Sequence, residues 1–477
     1  MGLGLALRLR LVCFFLCLGL TTQICGGAAA QDSKPAQTAA VPLRAPDERY
    51  KVDILLVVAH PDDEGAATAY LARAIDEGKR VALVYGTRGS SGANEVGAEQ
   101  AAALGAIREI EARRALSQLG IGEVWFLDGK DTASQNVLQS LSNWNHGETL
   151  QQLVRLVRLT RPEVVLTFLP GTFIGEDHGD HQASGVLATE AFDLSGDPVA
   201  FPEQLAGATK RLEPLLDNLR PWQPKKLYYF ADADKEDIFH GLGPAYSVKE
   251  LSKSNKHAYW RIALDGYLAH ETQSRSMGES LKGMSDAALE KLMTTEGYWS
   301  DSLRFVRGKS LVGGAATGDV FENVTGEPIA FSRPAVAPQP QGPELSVELG
   351  GPWSFYADFQ RAHGLTHLPH PEPPEIGLQV GTTLVIPLWV RNQTSSPQKI
   401  TLSAEPPSGW VVQSGAGKFL IGAKQTAAAR MEVDLPASID GAKKNELQEI
   451  TVHAESGGHS IGAVKLRVEL RQRALPQ

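Results

Sequence analysis

Residues 53–64 read DILLVVAHPDDE, from Asp53 to Glu64. The first seven form a nearly continuous apolar run of strand length, as expected for a parallel strand covered on both faces. The last five place His60, Asp62, Asp63 and Glu64 where that strand gives way to a helix predicted over Gly65 to Asp76. In an open α/β sheet, ligands bind at this carboxyl edge. Pro61 fits a first helical turn and Asp62 or Asp63 can cap it. Capping explains one acid and leaves a histidine and a second acid unexplained.

Working outward, RVALVY (Arg80–Tyr85), EVWFL (Glu123–Leu127), EVVLTF (Glu163–Phe168) and KLYYF (Lys226–Phe230) read as further strands. Helical spacing over Ala98–Leu119, Thr149–Thr160 and His181–Phe192 separates them. Alternating strands and helices predict a Rossmann-like parallel sheet with helices on both faces. Leu251–Glu296 is again helical in character. From Ile376 the texture changes to short alternating runs broken by Gly, Pro, Ser and Asn, which predicts an Ig-like β-sandwich over 376–477. The Pro-rich stretches Ala335–Pro343 and His363–Pro374 mark 335–375 as a linker region, leaving 48–334 as the first domain with its helical extension.

A second cluster, His178-Gly179-Asp180-His181, follows the fourth predicted strand and a loop containing Gly and Pro. Positions three apart share one helix face, so His178 and His181 can address one site. In the common doubly wound order the first and fourth strands are neighbours across the switch point, and both clusters then reach one crevice. Two histidines and one aspartate suit Zn²⁺ with a fourth position open to water. That leaves a carboxylate to take a proton and an imidazole to stabilise an oxyanion. Asp180 is placed to orient His178 and favour its protonated form.

At these residues the chain resembles the PIG-L/LmbE-like family of zinc-dependent N-acetylglucosaminyl deacetylases. The likeness rests on AHPDDE (59–64) and HGDH (178–181), with support from GTRGSSG (86–92), IREIEARRALSQLGI (107–121) and FLDGKD (126–131). The resemblance implies that His60, Asp63 and His181 bind zinc and that Asp62 is the general base. His178 then polarises the carbonyl or acts as acid, with Asp180 behind it. The implied reaction is hydrolysis of an N-acetylated sugar or glycoconjugate to acetate and a free amine, with Arg108 and Asp131 at the substrate. AHETQSR (269–275) is similar to a later family segment usually written with Ser-Gln; Thr272 stands for the serine, and no role is carried onto His270.

Arg8 and Arg10, the apolar run Leu11–Leu20 and Ala28–Ala30 have the layout of a signal peptide over 1–30, followed by a tether over 31–47. The run has ten residues, against the ~20 that a membrane helix requires. An exported protein, periplasmic or extracellular, with no transmembrane anchor after cleavage is the expectation. Cys13, Cys17 and Cys25 all lie in this leader, so the mature chain forms no disulfides. A net charge of −9 without a run of Lys or Arg excludes a nucleic-acid footprint. GTRGSSGANEVG lacks the spacing of a dinucleotide site and reads as a wall of the crevice. His363, His367 and His370 read as exposed linker residues, and Trp353, Trp389 and Trp410 as core of the β region. A secreted glycan-binding protein with an inactive deacetylase-like domain is the other functional class, and the intact ligand set argues against it.

Overall fold

The computed structural model describes residues 47–171, 178–205, 219–231, 240–295, 301–338, 342–368, 373–439 and 446–471. The signal peptide, nearly all of the tether, and His370 lie outside these residues.

Five strands run parallel: β1 (Ile54–Val58), β2 (Val81–Tyr85), β3 (Val124–Phe126), β4 (Val164–Phe168) and β5 (Lys226–Phe230). A sixth, β8 (Val306–Ser310), closes the edge antiparallel to β5, giving the order β3-β2-β1-β4-β5-β8. The first and fourth strands are thus neighbours, and the chain reverses its direction of winding between them. The period-2 alternation of a strand splits β1 between two cores. Ile54, Leu56 and Val58 pack with α1 (Gly65–Asp76) and α2 (Ala101–Ser117). Leu55, Val57 and Ala59 pack with α3 (Val137–Asn143), α4 (His146–Thr160) and α5 (Gly179–Leu194) on the other face. All five β1 residues are buried, each contributing roughly 1.5–3 kcal/mol. This burial anchors the turn that follows.

Residues 251–296, predicted helical as a block, form α6 (Tyr259–Tyr267), α7 (Glu271–Leu281) and α8 (Asp286–Thr294). They bury Tyr259, Trp260, Ile262 and Leu289 against Ala69 and Ala72 of α1, which makes α1 a middle layer. A short antiparallel pair, β6 (Ala245–Ser247) with β7 (Ser302–Arg304), brackets them.

The segment 335–375, expected to be a linker, is built into both parts of the fold. Leu345–Leu349 is a strand, β9, paired antiparallel with β11 (Thr383–Asn392). Pro352–Ala362 is a helix, α9, with proline in its first turn. Its Tyr356 and Phe359, with Leu365 and Leu368, enter the core beneath α5. Pro343 precedes β9 and Pro352 opens α9, so the prolines here mark the starts of elements and do not abolish them.

Downstream come β10 (Glu375–Gln379), β12 (Gln398–Glu405), β13 (Val411–Ser414), β14 (Gly417–Ile421), β15 (Gln425–Asp434), β16 (Leu447–Ser456) and β17 (His459–Arg471). They make a five-stranded sheet, β10-β17-β16-β12-β14, and with β9 and β11 a four-stranded one, β13-β15-β11-β9. One core, including Ile386, Val390, Met431, Ile400, Ile450 and Val468, draws on both sheets.

Candidate metal centre

The turn after β1 and the start of α5 meet at the sheet's switch point. Asp63 is the hub. Its Oδ2 accepts the N–H groups of Ala59 (3.0 Å) and His60 (2.6 Å), which fixes the carboxylate against the turn. Oδ1 faces His181 Nε2 at 3.1 Å, and His60 Nδ1 lies 3.4 Å from Oδ2. Phe168, the last residue of β4, stacks on the His181 ring at 4.3 Å and 9° and sets its plane. His178 completes a triangle of imidazoles, 4.7 Å from His60 and 4.9 Å from His181 between ring centroids.

On the far side, His60 Nε2 lies 3.3 Å from both Asp131 Oδ1 and Asp180 Oδ2. Two sets of ligand atoms gather within 4.8 Å of one another: His60, His178 and His181, and His60, Asp131 and Asp180. Asp63 touches both His60 and His181. His60, Asp63 and Asp180 are buried.

The charges are strongly coupled. Burial opposes ionisation of His60, but Asp63, Asp131 and Asp180 outweigh it and hold the ring well above the usual imidazole range. Burial likewise opposes ionisation of Asp63, and His181 and His60 outweigh it, so its carboxyl sits well below the carboxylate range. Asp180 Oδ1 is buried and has no hydrogen-bond partner among the described residues. Three imidazoles, an ionised carboxylate and an orphaned carboxylate oxygen are a donor set that fits Zn²⁺.

Asp62 stands beside this set. Its φ of 112° lies in a region that non-glycine residues rarely occupy, a strain concentrated at functional sites. Arg108 Nη2 donates to Asp62 Oδ1 (3.0 Å) and to Pro61 O (2.6 Å), and Nη1 donates to Gly89 O (2.9 Å). Burial pushes the Asp62 carboxyl up to about 6, against the pull of Arg108.

Residues 55–192 match the family profile described as GlcNAc-PI de-N-acetylase, PIG-L. The chain carries a PIG-L domain. A 1D-myo-inositol 2-acetamido-2-deoxy-alpha-D-glucopyranoside deacetylase of Thermobifida fusca is 28% identical over 258 residues, spanning 46% of this chain and 82% of that protein. A deacetylase of the same description from Geodermatophilus obscurus is 32% identical, over 37% of this chain and 60% of its own. Among solved structures, an N,N'-diacetylchitobiose deacetylase from Pyrococcus horikoshii aligns with a TM-score of 0.37 and 18% identity, over 58% of this chain and 87% of its own.

The arrangement around His178 in the PIG-L domain differs from the expected one. The Asp180 carboxylate does not stand behind that ring: it accepts from Thr132 N–H (2.9 Å) and lies against His60. The Asp180 N–H instead donates to His178 Nδ1 (3.2 Å), making His178 the N-cap of α5. Burial, with repulsion from His60 and His181, lowers His178 to about 4, so the ring is neutral rather than protonated. With Nδ1 accepting, its proton is assigned to Nε2.

Arg108 and Asp131, expected at the substrate, have the two Nη atoms and the two carboxylate oxygens on protein partners. Asp131 Oδ2 accepts from Ser91 N–H at 2.6 Å, and Arg108 is buried beneath Asp62. The glycine-rich loop explains how Arg108 gets there. A Cβ at Gly89, whose φ is +64°, would fall 2.3 Å from the guanidinium, and one at Gly92 would fall 2.6 Å from it.

The remaining sequence candidates are engaged elsewhere. His363 pairs with Asp193 (2.7 Å) and His367 with Arg307 O (3.1 Å), so the two do not share a site. Trp410 lies in the β core, and Trp389 Nε1 donates to Ser354 Oγ. Two residues that sequence reasoning left without a role, Glu64 and His270, form a buried pair directly behind Asp62. They lie 206 positions apart, and only the AHETQSR likeness hinted at the second.

Proposed function

We propose that this chain is an exported, zinc-dependent amide hydrolase that removes the acetyl group from an N-acetylated amino sugar or glycoconjugate. The observation that carries the reading is the meeting of His60, Asp63, His178 and His181 at the switch point, with a strained Asp62 beside them. The relatives' names support the substrate class. The leader's composition supports export, and the shared core of the two C-terminal sheets supports an Ig-like β-sandwich there.

His60, Asp63 and His181 would hold the ion. Bound there, Zn²⁺ supplies Lewis acidity and lowers the pKa of water to about 7. Asp62 takes a proton from the attacking water and, with Arg108 on its Oδ1, keeps its other oxygen for that proton. His178 directs Nε2–H at the acyl oxygen as negative charge grows on it, a neutral donor matched to an oxyanion. Cleavage of the C–N bond releases acetate, and the proton taken up by Asp62 returns to the departing amine.

The test is acetate release from a panel of N-acetyl sugars by purified protein, with and without chelator. Asp62→Asn should keep its zinc and lose roughly 10²–10⁴-fold in turnover, the usual worth of a positioned base. Undiminished turnover after removal of the metal, or in the Asn variant, overturns the assignment.

A further inference from the structure

We propose that Glu64 and His270 are positioning residues that hold Asp62 in its strained backbone conformation; this rests on the reading of Asp62 as the general base. Glu64 uses both carboxylate oxygens. Oε2 accepts the Asp62 N–H at 3.0 Å, and Oε1 is paired with His270 Nε2 at 2.5 Å. Both side chains are buried, and His270 Nδ1 has no hydrogen-bond partner among the described residues. Nε2 is therefore the ring atom through which His270 is hydrogen-bonded, and it bears on Glu64.

The other end of Asp62 is held by Arg108, on its side-chain Oδ1 and on the preceding carbonyl. A residue at φ 112° persists only where its surroundings over-determine it. Here one grip is on the amide and one on the carboxylate, and the two have a common mount. Glu111, three residues after Arg108 and so on the same face of α2, accepts from Thr272 N–H (2.9 Å) and Thr272 Oγ1 (2.6 Å). Gln273 Nε2 donates to Ala93 O, and Glu95 N–H donates to Thr272 O.

The 269–275 segment thus clamps α2, the glycine-rich loop and Glu64 together, with His270 reaching Glu64 and Thr272 reaching Glu111. The threonine supplies the hydroxyl that a serine would. A merely structural role, a buried pair pinning α7 to the domain, would lower stability and leave turnover of folded, metal-loaded protein unchanged. A positioning role acts on the chemical step and not on substrate binding.

The experiment compares Glu64→Ala, Glu64→Gln and His270→Gln with wild type for kcat, KM, zinc content and, by crystallography, the Asp62 φ. Glutamine at 64 can still accept from the Asp62 amide and donate to His270 as its other tautomer. Expected for Glu64→Ala is a fall in kcat of roughly 10–100-fold, the usual cost of misplacing a reacting group by about 1 Å. KM should stay within about twofold on the same argument, and zinc should remain stoichiometric. Glu64→Gln should recover most of the rate, and Asp62 should leave the positive-φ region in the alanine variant alone. His270→Gln, which keeps most of the buried volume, covers the case in which the alanine variant does not fold, with a smaller fall in kcat at constant KM. Wild-type kcat in Glu64→Ala, or in His270→Gln where the alanine variant does not fold, overturns the inference while leaving the deacetylase reading intact. So does an unmoved φ, or a glutamine variant as slow as alanine. A wild-type chain that releases no acetate overturns both.

Discussion

Replacing Arg108 by glutamine should move the acid limb of the pH–rate profile upward. A base must be ionised to take a proton, so kcat/KM falls tenfold per unit of pH below the Asp62 pKa. The guanidinium lies 3.0 Å from Asp62 Oδ1. Coulomb's law at that separation gives roughly 1.4–5.5 kcal/mol between effective dielectric constants of about 80 and 20. Each unit of pKa corresponds to about 1.36 kcal/mol. Arg108 is buried and the Asp62 side chain 19% exposed, so water screens the pair from one side only and the lower half of that range applies. A rise of about one to two units follows, within the span of carboxylates paired with arginine.

His60, Asp63 and His270 remain in the variant, so the difference between the two profiles isolates Arg108. Acetate release measured from pH 5 to 9 under kcat/KM conditions reads it directly. Arg108→Lys keeps the charge and should leave the limb close to its wild-type position. An acid limb that stays in place in the glutamine variant, or moves down, refutes the argument that Arg108 holds Asp62 ionised.

Three further outcomes are expected. His181→Ala removes an imidazole that faces Asp63 at 3.1 Å and should lower bound zinc to a small fraction of a stoichiometric equivalent by elemental analysis; full retention would show that His178 replaces it. Gly86→Ala puts a Cβ 2.2 Å from Cη2 of the buried Trp144 and should destabilise the fold by about 1–3 kcal/mol in urea unfolding, whereas an unchanged midpoint would mean the indole can shift. Asp76 accepts from Lys253 N–H, Ser254 Oγ and Tyr259 OH; burial opposes its ionisation, but these bonds hold the carboxyl well below its usual range. Its contribution is therefore present above the unfolded pKa of about 4 and lost as pH falls through the lower folded value. Asp76→Asn should be less stable than wild type at pH 7 and approach it below pH 4; a constant gap at both pH values would contradict the linkage.

The sheet was legible because its strands are buried on both faces. DILLVVA, RVALVY and EVVLTF have no polar alternation to confuse with another element, and their boundaries fall within a residue or two of those observed. The edge strand Val306–Ser310 reads VRGKS and carries no such run, and neither it nor the short helix Val137–Asn143 has a strong local signal. The stretch 335–375 misled for a different reason. Prolines next to LSVEL and WSFYADFQRA looked like linker punctuation, yet Tyr356 and Phe359 keep helical spacing and fill the first core.

At the site, residue types and order were enough to bring His60 and Asp63 to His178 and His181. The direction of the Asp180 carboxylate was not readable, because its proximity in sequence to His178 suggested a pairing that the helix start forbids. There the amide, not the carboxylate, points at the ring. Glu64 and His270 were illegible as a pair for a simpler reason: no local pattern links positions 206 residues apart.

The proposed chemistry requires two distant stretches of chain to grip a single ion. Anomalous diffraction at the zinc edge from crystals of the full-length protein tests it most directly. Expected is one strong peak bonded to His60, Asp63 and His181, at about 2.0–2.2 Å from their ligand atoms. No peak there in zinc-replete crystals, or a peak held by other residues, would contradict it.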